Sequence, residues 1–381
     1  MSAPQLRSQF LPLAGAGVLF LGACELALRL ADFSYPSLGQ RSVVWSREHD
    51  VELRSGKGLH VLDARQMWKP RAGACIPWTR DEHVNAKGFR GPELALEKQP
   101  GVLRIALLGD ETTFGAGVVW DDTYAAHLVR GLAELGIAAE VLDAGVAGTT
   151  ILQGIERYRN DVRPYAPDIV VCAYSGLHEY TAAPGSCADD ERMAGKCGAP
   201  LDTLLETEFP RDQLRTLQVL AWMRDLYFGD GWRERDFTLQ EQRRAANIGS
   251  FMGAGVRRVD YALLRDKLAE LATEVRGDGA LIAALIVPHK SGGPYDSDVM
   301  HYFQLATEKG AEQASVPLAL GRLAFFEGVK LSRIAPGDLF TNDGAPSDCG
   351  HILLAQVLID TLLPHLAEVR RLQKTSPELP R

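Results

Sequence analysis

Arg104-Ile-Ala-Leu-Leu-Gly-Asp-Glu-Thr-Thr-Phe-Gly-Ala-Gly-Val118 decides the fold. A short apolar run ends at Gly109, acidic and hydroxyl residues follow, and glycines stand at 115 and 117. Such a run, bounded by turn residues, predicts a buried strand that empties into a loop. Working outward, 122–135 reads as an amphipathic helix, 139–142 as a second strand and 151–163 as a helix. Residues 169–173 form a third strand behind the turn Pro167-Asp168, and 280–287 a later one. Helical patterns fall near 211–225 and 256–276, and 352–363 closes the region as a helix after Gly350. Strands that alternate with helices imply a parallel sheet covered on both faces. The expected fold class is therefore α/β, a three-layer sandwich around a flavodoxin-like parallel sheet. For a 2-1-3-4-5 strand order the ligand site lies beyond the carboxyl ends of the first and third strands. That would bring Asp110 and Glu111 to the segment 175–179, far away in the chain.

The segments at those strand ends carry a resemblance. Gly109-Asp-Glu is similar to the first block of SGNH (GDSL-type) hydrolases, where the first strand ends in Gly-Asp-Ser. Val141-Leu-Asp-Ala-Gly-Val-Ala-Gly148 resembles the second block, whose glycine donates a backbone N–H to the oxyanion hole. Pro167-Asp-Ile-Val-Val-Cys-Ala-Tyr-Ser-Gly-Leu-His-Glu179 resembles the third block, normally Gly-x-Asn-Asp or a Gly-His-Asn-Glu variant. Phe340-Thr-Asn-Asp-Gly-Ala-Pro-Ser-Asp-Cys-Gly-His351 resembles the last, an Asp-x-x-His-Pro stretch closed by Gly-His before the final helix. Asn85-Ala-Lys-Gly-Phe-Arg-Gly-Pro-Glu93 is similar to a segment of membrane-anchored members. Any one block is weak; four in register over residues 85–365 are specific.

The departures fall on the chemistry. The nucleophile position holds Glu111, and His178 replaces the asparagine that donates to the oxyanion. Aligning Pro346 with the family's proline puts Ala345 at the catalytic histidine and Asn342 at the aspartate that orients it, leaving Gly148 as the retained member. Acyl transfer of this kind needs a hydroxyl activated by a base that is itself oriented by an acid. Glutamate offers no such hydroxyl, alanine accepts no proton, and a carboxylate at the nucleophile position repels a developing oxyanion. Losing a whole triad elsewhere costs about six orders of magnitude in rate. The resemblance, so altered, implies a pseudoenzyme that uses the inherited cleft for binding or scaffolding in the cell envelope, with a glycan or an acylated ligand. The alternative is an active ester hydrolase or O-acyltransferase on an acylated carbohydrate, with rearranged residues.

Local rearrangements compete with simpler roles. Asp348-Cys-Gly-His351 is literally Asp-x-x-His, so a shifted register would retain a dyad of Asp348 and His351. Thr112 reads as a local cap rather than a displaced nucleophile, and Cys349 paired with His351 is a further thiol option. Asp110, Glu111, His178, Glu179 and Asp343 include types that bind divalent metals. The same residues serve equally as loop caps and solvated groups, and no metal and no cofactor is expected. His289, in Val-Pro-His-Lys-Ser-Gly-Gly, reads as a loop histidine near the same rim.

Bulk properties narrow the setting. The 381 residues are 46% hydrophobic and 24% charged, ordinary for a globular chain and unlike a disordered one. A formal charge of −8 argues against nucleic acid as a partner. Residues 10–24 are uninterruptedly apolar or small, preceded by Arg7 and followed by Glu25 and Arg29, an i,i+4 pair. The segment fits an uncleaved membrane anchor. Leu21-Gly-Ala-Cys24 is also similar to a bacterial lipobox with Cys24 as the lipidated residue, and a cleaved secretory signal is the third reading. All three export the domain to the extracytoplasmic side. Cys187 and Cys197 flank a polar loop and suit a disulfide there; Cys172 lies in an apolar strand and reads as core. The expected organisation is an anchor over 1–31, an extension over 32–100, the hydrolase-like domain over 101–370 with an insertion at about 181–255, and a tail over 371–381.

Overall fold

The computed structural model describes residues 3–35, 53, 55–174, 190, 193, 213–227, 258–290, 297–332, 334–341, 344–367 and 369, with side chains of the first helix described from Gly15 onward. The centre is a five-stranded, wholly parallel sheet. Two short strands precede it, β1 (His60–Asp63) and β2 (Met67–Pro70), paired antiparallel. The sheet strands are β3 (Leu103–Gly109), β4 (Ala139–Asp143), β5 (Ile169–Ala173), β6 (Leu281–Ile286) and β7 (Leu318–Leu320), in spatial order β4-β3-β5-β6-β7. Among themselves these five have the expected 2-1-3-4-5 order, so the reversal of direction falls between β3 and β5.

Period-2 alternation sorts the strands' side chains into two cores. Ala106, Leu108, Leu142, Val170, Cys172, Ile282 and Ala284 point to one face. Ile105, Leu107, Val141, Ile169, Val171, Ala283 and Leu285 point to the other. Every residue of β3, β5 and β6 is buried, as a sheet covered on both faces requires.

The helices number α1 (Ala3–Leu30), α2 (Glu111–Phe114), α3 (Tyr124–Glu134), α4 (Ile151–Arg157), α5 (Arg215–Tyr227), α6 (Tyr261–Gly277), α7 (Ser297–Gln313), α8 (Gly321–Ser332) and α9 (Asp348–Leu362). The first face takes α4, α6 and α7 through Ile151, Ile155, Leu264, Leu268, Leu271, Phe303 and Ala306. The second takes α3, α8 and α9 through Tyr124, Leu128, Leu132, Phe325, Leu354 and Leu358. Each fully buried Leu or Phe of this kind stabilises the fold by roughly 1.5–3 kcal/mol.

Several elements depart from the sequence reading. The helix predicted over 151–163 stops at Arg157, widens into a π-helical turn over Tyr158–Val162 and tightens into a 3-10 turn over Arg163–Tyr165. Pro164 has no N–H to donate back into the helix, so regular pitch cannot continue through it. α7, β7 and α8 carry no prediction. β7 has three residues, too few for a period, and its place comes from pairing Leu318–Leu320 with Ala284–Ile286.

Residues 55–100 form a coat over the loops at the strand ends, pinned by buried arginines. Arg104 in β3 donates to the carbonyls of Ala95, Leu96 and Tyr165 and pairs with Glu140 at 2.6 Å. Arg157 donates to Ala144 O and Gly88 O and stacks over Phe89 at 4.8 Å.

α1 meets the rest of the chain at its last turns. Glu25 accepts from the N–H groups of Arg215 (3.0 Å) and Thr216 (2.9 Å), the open end of α5, and from Arg29 Nε. Phe33 meets Trp222 of α5 edge-on at 6.2 Å. Val18, Leu19, Phe20 and Leu21, consecutive and so facing all sides of the helix, are exposed. Among the described residues no helix is long and apolar enough to cross a membrane.

Candidate functional site

The end of β3 is shaped by a glycine. A Cβ on Gly109 would lie 2.3 Å from Ala173 O and 1.9 Å from Thr113 Oγ1, so no larger residue fits where the strand meets its loop. The chain then turns into α2. Asp110 caps it by accepting from Thr112 N at 3.1 Å, and Gly115 ends it at φ +76° in the left-handed region. Thr113 Oγ1 donates to Ala173 O and accepts from Tyr124 OH, tying the turn to β5 and α3. The cap is thus Asp110 rather than Thr112. The Thr112 hydroxyl is buried with no hydrogen-bond partner among the described residues.

Glu111 is half-buried at the first position of α2, and its Oε2 accepts the Gly148 N–H at 3.2 Å. Gly148 has φ +72°, which favours glycine. Its carbonyl accepts from buried Arg258 at 2.7 Å, while the same guanidinium donates to Gln153 Oε1 and stacks over Trp68 at 5.6 Å. Trp68 Nε1 donates to Ala147 O at 3.0 Å. The Gly148 N–H is therefore rigidly presented, and a side-chain oxygen of Glu111 accepts from it.

The opposite rim is framed by the 340–347 turn. Phe340 bridges Pro346, and Thr341 donates to Ala345 O through both its N–H (2.8 Å) and its Oγ1 (3.1 Å). Ser347 caps α9 by accepting from Gly350 N. Ala345 is buried. A Cβ on Gly117 would lie 3.5 Å from Thr341 Cγ2, so the loop after α2 and the turn holding Ala345 are neighbours, as the strand order requires. His289 sits against this turn: a Cβ on Gly344, at φ +86°, would lie 2.5 Å from its Cε1.

The shifted Asp348–His351 pairing is not formed. His351 is fully buried, stacked on Tyr124 with centroids 5.8 Å apart, and its Nδ1 accepts from Tyr124 N at 3.1 Å. Burial, followed by the charges of His127 and Arg90, lowers its pKa to about 3, so the ring is neutral. Asp348 instead accepts from Cys349 N in the first turn of α9. Burial and the Asp348 charge raise the Cys349 thiol, which removes it as a ready nucleophile. His178, Glu179, Asn342 and Asp343 lie outside the described residues, as do Cys187 and Cys197. Among the described residues no three His, Cys, Asp or Glu side chains are grouped to hold a metal.

Two further groups support the site, and the sequence pattern did not single them out. Arg90, 1% exposed, donates to Phe114 O (2.6 Å), Gly115 O (2.5 Å) and Val118 O (2.6 Å) and pairs with Glu82 at 2.8 Å, so it cradles the loop after Glu111. Asp143, at the end of β4, accepts from Gly145 N, while its Oδ2 has no hydrogen-bond partner among the described residues. Burial pushes its carboxyl up to about 7, against the Gly145 bond and the charges of Arg90 and Arg157. The position of Arg90 inside Asn85–Glu93 was the available signal for the first.

Neither a family model nor a curated protein sequence matches the chain. Among solved structures it is similar to TesA, with 17% identity, 68% of this chain and 98% of that one covered, and a TM-score of 0.39. Similar values hold for the acetylxylan esterase Axe2 from Geobacillus stearothermophilus, at 16% identity, 68% and 94% coverage and TM-score 0.40. LAE5, an alpha/beta hydrolase enzyme from the metagenome of Lake Arreo, gives the same four values. At these scores the neighbours carry no argument. The chain itself has a parallel 2-1-3-4-5 sheet with Asp110 directly after its first strand, Gly148 beyond its second and the Asp348–Leu362 helix closing the fold.

Proposed function

We propose that this chain is a membrane-attached SGNH-like protein of the cell envelope that does not hydrolyse esters and uses its cleft to bind or scaffold a glycan or an acylated ligand. The observation that carries the reading is the Gly148 N–H directed at Glu111 Oε2. In a working site that donor receives the charge that develops on the substrate's oxygen. Here a carboxyl oxygen of the protein already accepts from it, in place of the transition state, and Ala345 supplies no base.

Attachment through α1 is supported by the sequence run over 10–24 and by the all-round exposure of Val18–Leu21. The described turns fall short of a span by themselves; the full 28-residue helix is about 42 Å long, against roughly 30 Å of hydrocarbon.

The experiment is turnover of short acyl esters, together with fluorophosphonate labelling, by the purified protein. No turnover and no labelling is expected, and Glu111→Ser alone should stay at background because its hydroxyl has no base. Glu111→Ser with Ala345→His and Asn342→Asp should give measurable hydrolysis. Wild-type turnover that Glu111→Ala abolishes would overturn the reading and make Glu111 catalytic. Attachment is checked by fractionation: recovery of the intact chain in the soluble fraction would refute it.

A further inference from the structure

Cys75 and His83 lie eight residues apart, with no motif to mark them, yet an isolated antiparallel bridge sets them side by side. Cys75 Sγ is 3.2 Å from His83 Nε2, and both residues are exposed. His83 Nδ1 lies 3.0 Å from Asp81 O. A carbonyl oxygen only accepts, so Nδ1 carries the hydrogen and Nε2 of the neutral ring is left to take a proton from the thiol. Nucleophile, base and a group that fixes the base's tautomer are the components of an activated nucleophile. Nothing in the site described above uses them.

The surroundings select the chemistry. Attack on an acyl carbon needs donors for the oxygen that becomes negative. Of the backbone donors beside Cys75, Ala74 N is engaged with Arg71 O, Ile76 N with Glu82 O and Val84 N with Ala74 O, while Pro77 has no N–H. No group of converging free donors therefore surrounds the sulfur among the neighbours on either side. Exchange with a disulfide builds no oxyanion. It needs a thiolate, access along the S–S axis and a proton for the leaving sulfur.

We infer that Cys75 is a thiol–disulfide exchange site, with His83 as its proton acceptor and donor and a low-molecular-weight disulfide as its substrate. The thiol proton passes to His83 Nε2 and the Cys75 sulfur bonds to one sulfur of the disulfide. The old S–S bond breaks, and the departing thiolate takes the proton back from His83. The product is a mixed disulfide on Cys75, next to the Ala74, Ile76, Val84 and Phe114 cluster that packs under the loop after Glu111. This goes beyond the proposed function and does not depend on it.

The test uses the full chain with glutathione disulfide, acid quenching and peptide mapping. The adduct should form on Cys75 ahead of Cys349 and of Cys172, whose thiol burial and the Asp110 charge push up to about 12. His83→Gln and His83→Ala should each slow modification of Cys75 by at least about tenfold, and added imidazole should restore the rate in His83→Ala. Reaction at Cys75 no faster than at Cys349, or a wild-type rate in either His83 variant, would overturn the proposal. So would a slowed His83→Ala that imidazole fails to restore, since that marks a structural role.

Discussion

On the proposed reading, the two sides of the site depart from a working hydrolase in opposite ways. At the β3–β4 rim a side chain has been added: Glu111 brings a carboxylate to the N–H that the fold presents for an anion. At the 340–347 rim a side chain has been taken away: Ala345 leaves a methyl group where the resemblance places a base, while the surrounding bridge and the Ser347 cap are intact. Backbone geometry and reactive chemistry are therefore separable here. The frame is held chiefly by Arg90 and Arg258, which donate to carbonyls of the loops and pair with Glu82 and Gln153.

That contrast breaks first at Arg90. Arg90→Ala would take the side-chain donor from Phe114 O, leave Gly115 O with Val118 N alone and Val118 O with Trp78 Nε1 alone, and remove the ion-pair partner of Glu82. A loss of about 2–4 kcal/mol is therefore expected in chemical denaturation. A loss under about 1 kcal/mol would mean that the loops hold themselves.

Asp143 sharpens the comparison through pH. Its folded-state pKa, about 7, lies above the ordinary 3.8. The contribution of the bound proton is thus complete below the unfolded value and is lost as pH rises through about 7. Asp143→Asn keeps an acceptor for Gly145 N and removes the charge. It should gain roughly 2–4 kcal/mol over wild type at pH 8 and little at pH 4. Parallel stability curves for the two proteins across that window would contradict it. The smallest effect is at the other rim, where Ser347→Ala should cost about 1 kcal/mol through the lost cap of α9, read as a shift of the urea midpoint.

Legibility followed local pattern. β3, β4, β5 and β6 are readable because each is a short apolar run closed by a turn, and their parallel pairing follows from the alternation with helices. β7 is not, because three residues acquire strand character only by pairing with β6. The 151–163 helix was over-extended since its apolar pattern runs on past the pitch change that Pro164 imposes. At the site, the replaced positions could be named from the four blocks. That Glu111 reaches Gly148, that His351 is enclosed against Tyr124 and that Arg90 cradles the 114–118 loop are facts of contact between distant segments. Cys75 and His83 escaped notice for the same reason, since a spacing of eight residues matches no periodic template.

Glu25 has a mechanical consequence. A helix joined to a domain by a few turn residues is ordinarily a leash, free to swing about its attachment. Here the last turns of α1 are bolted to α5: Glu25 closes the N-terminal end of α5, and Arg29 reaches Gln213 O at 2.6 Å. Asp32, at φ +50°, stands just past the bolt, so residues 31–35 lie between two fixed points instead of forming the hinge. A tilt or pull on α1 therefore travels into α5 through a carboxylate held on two amides, and the two helices turn as one lever.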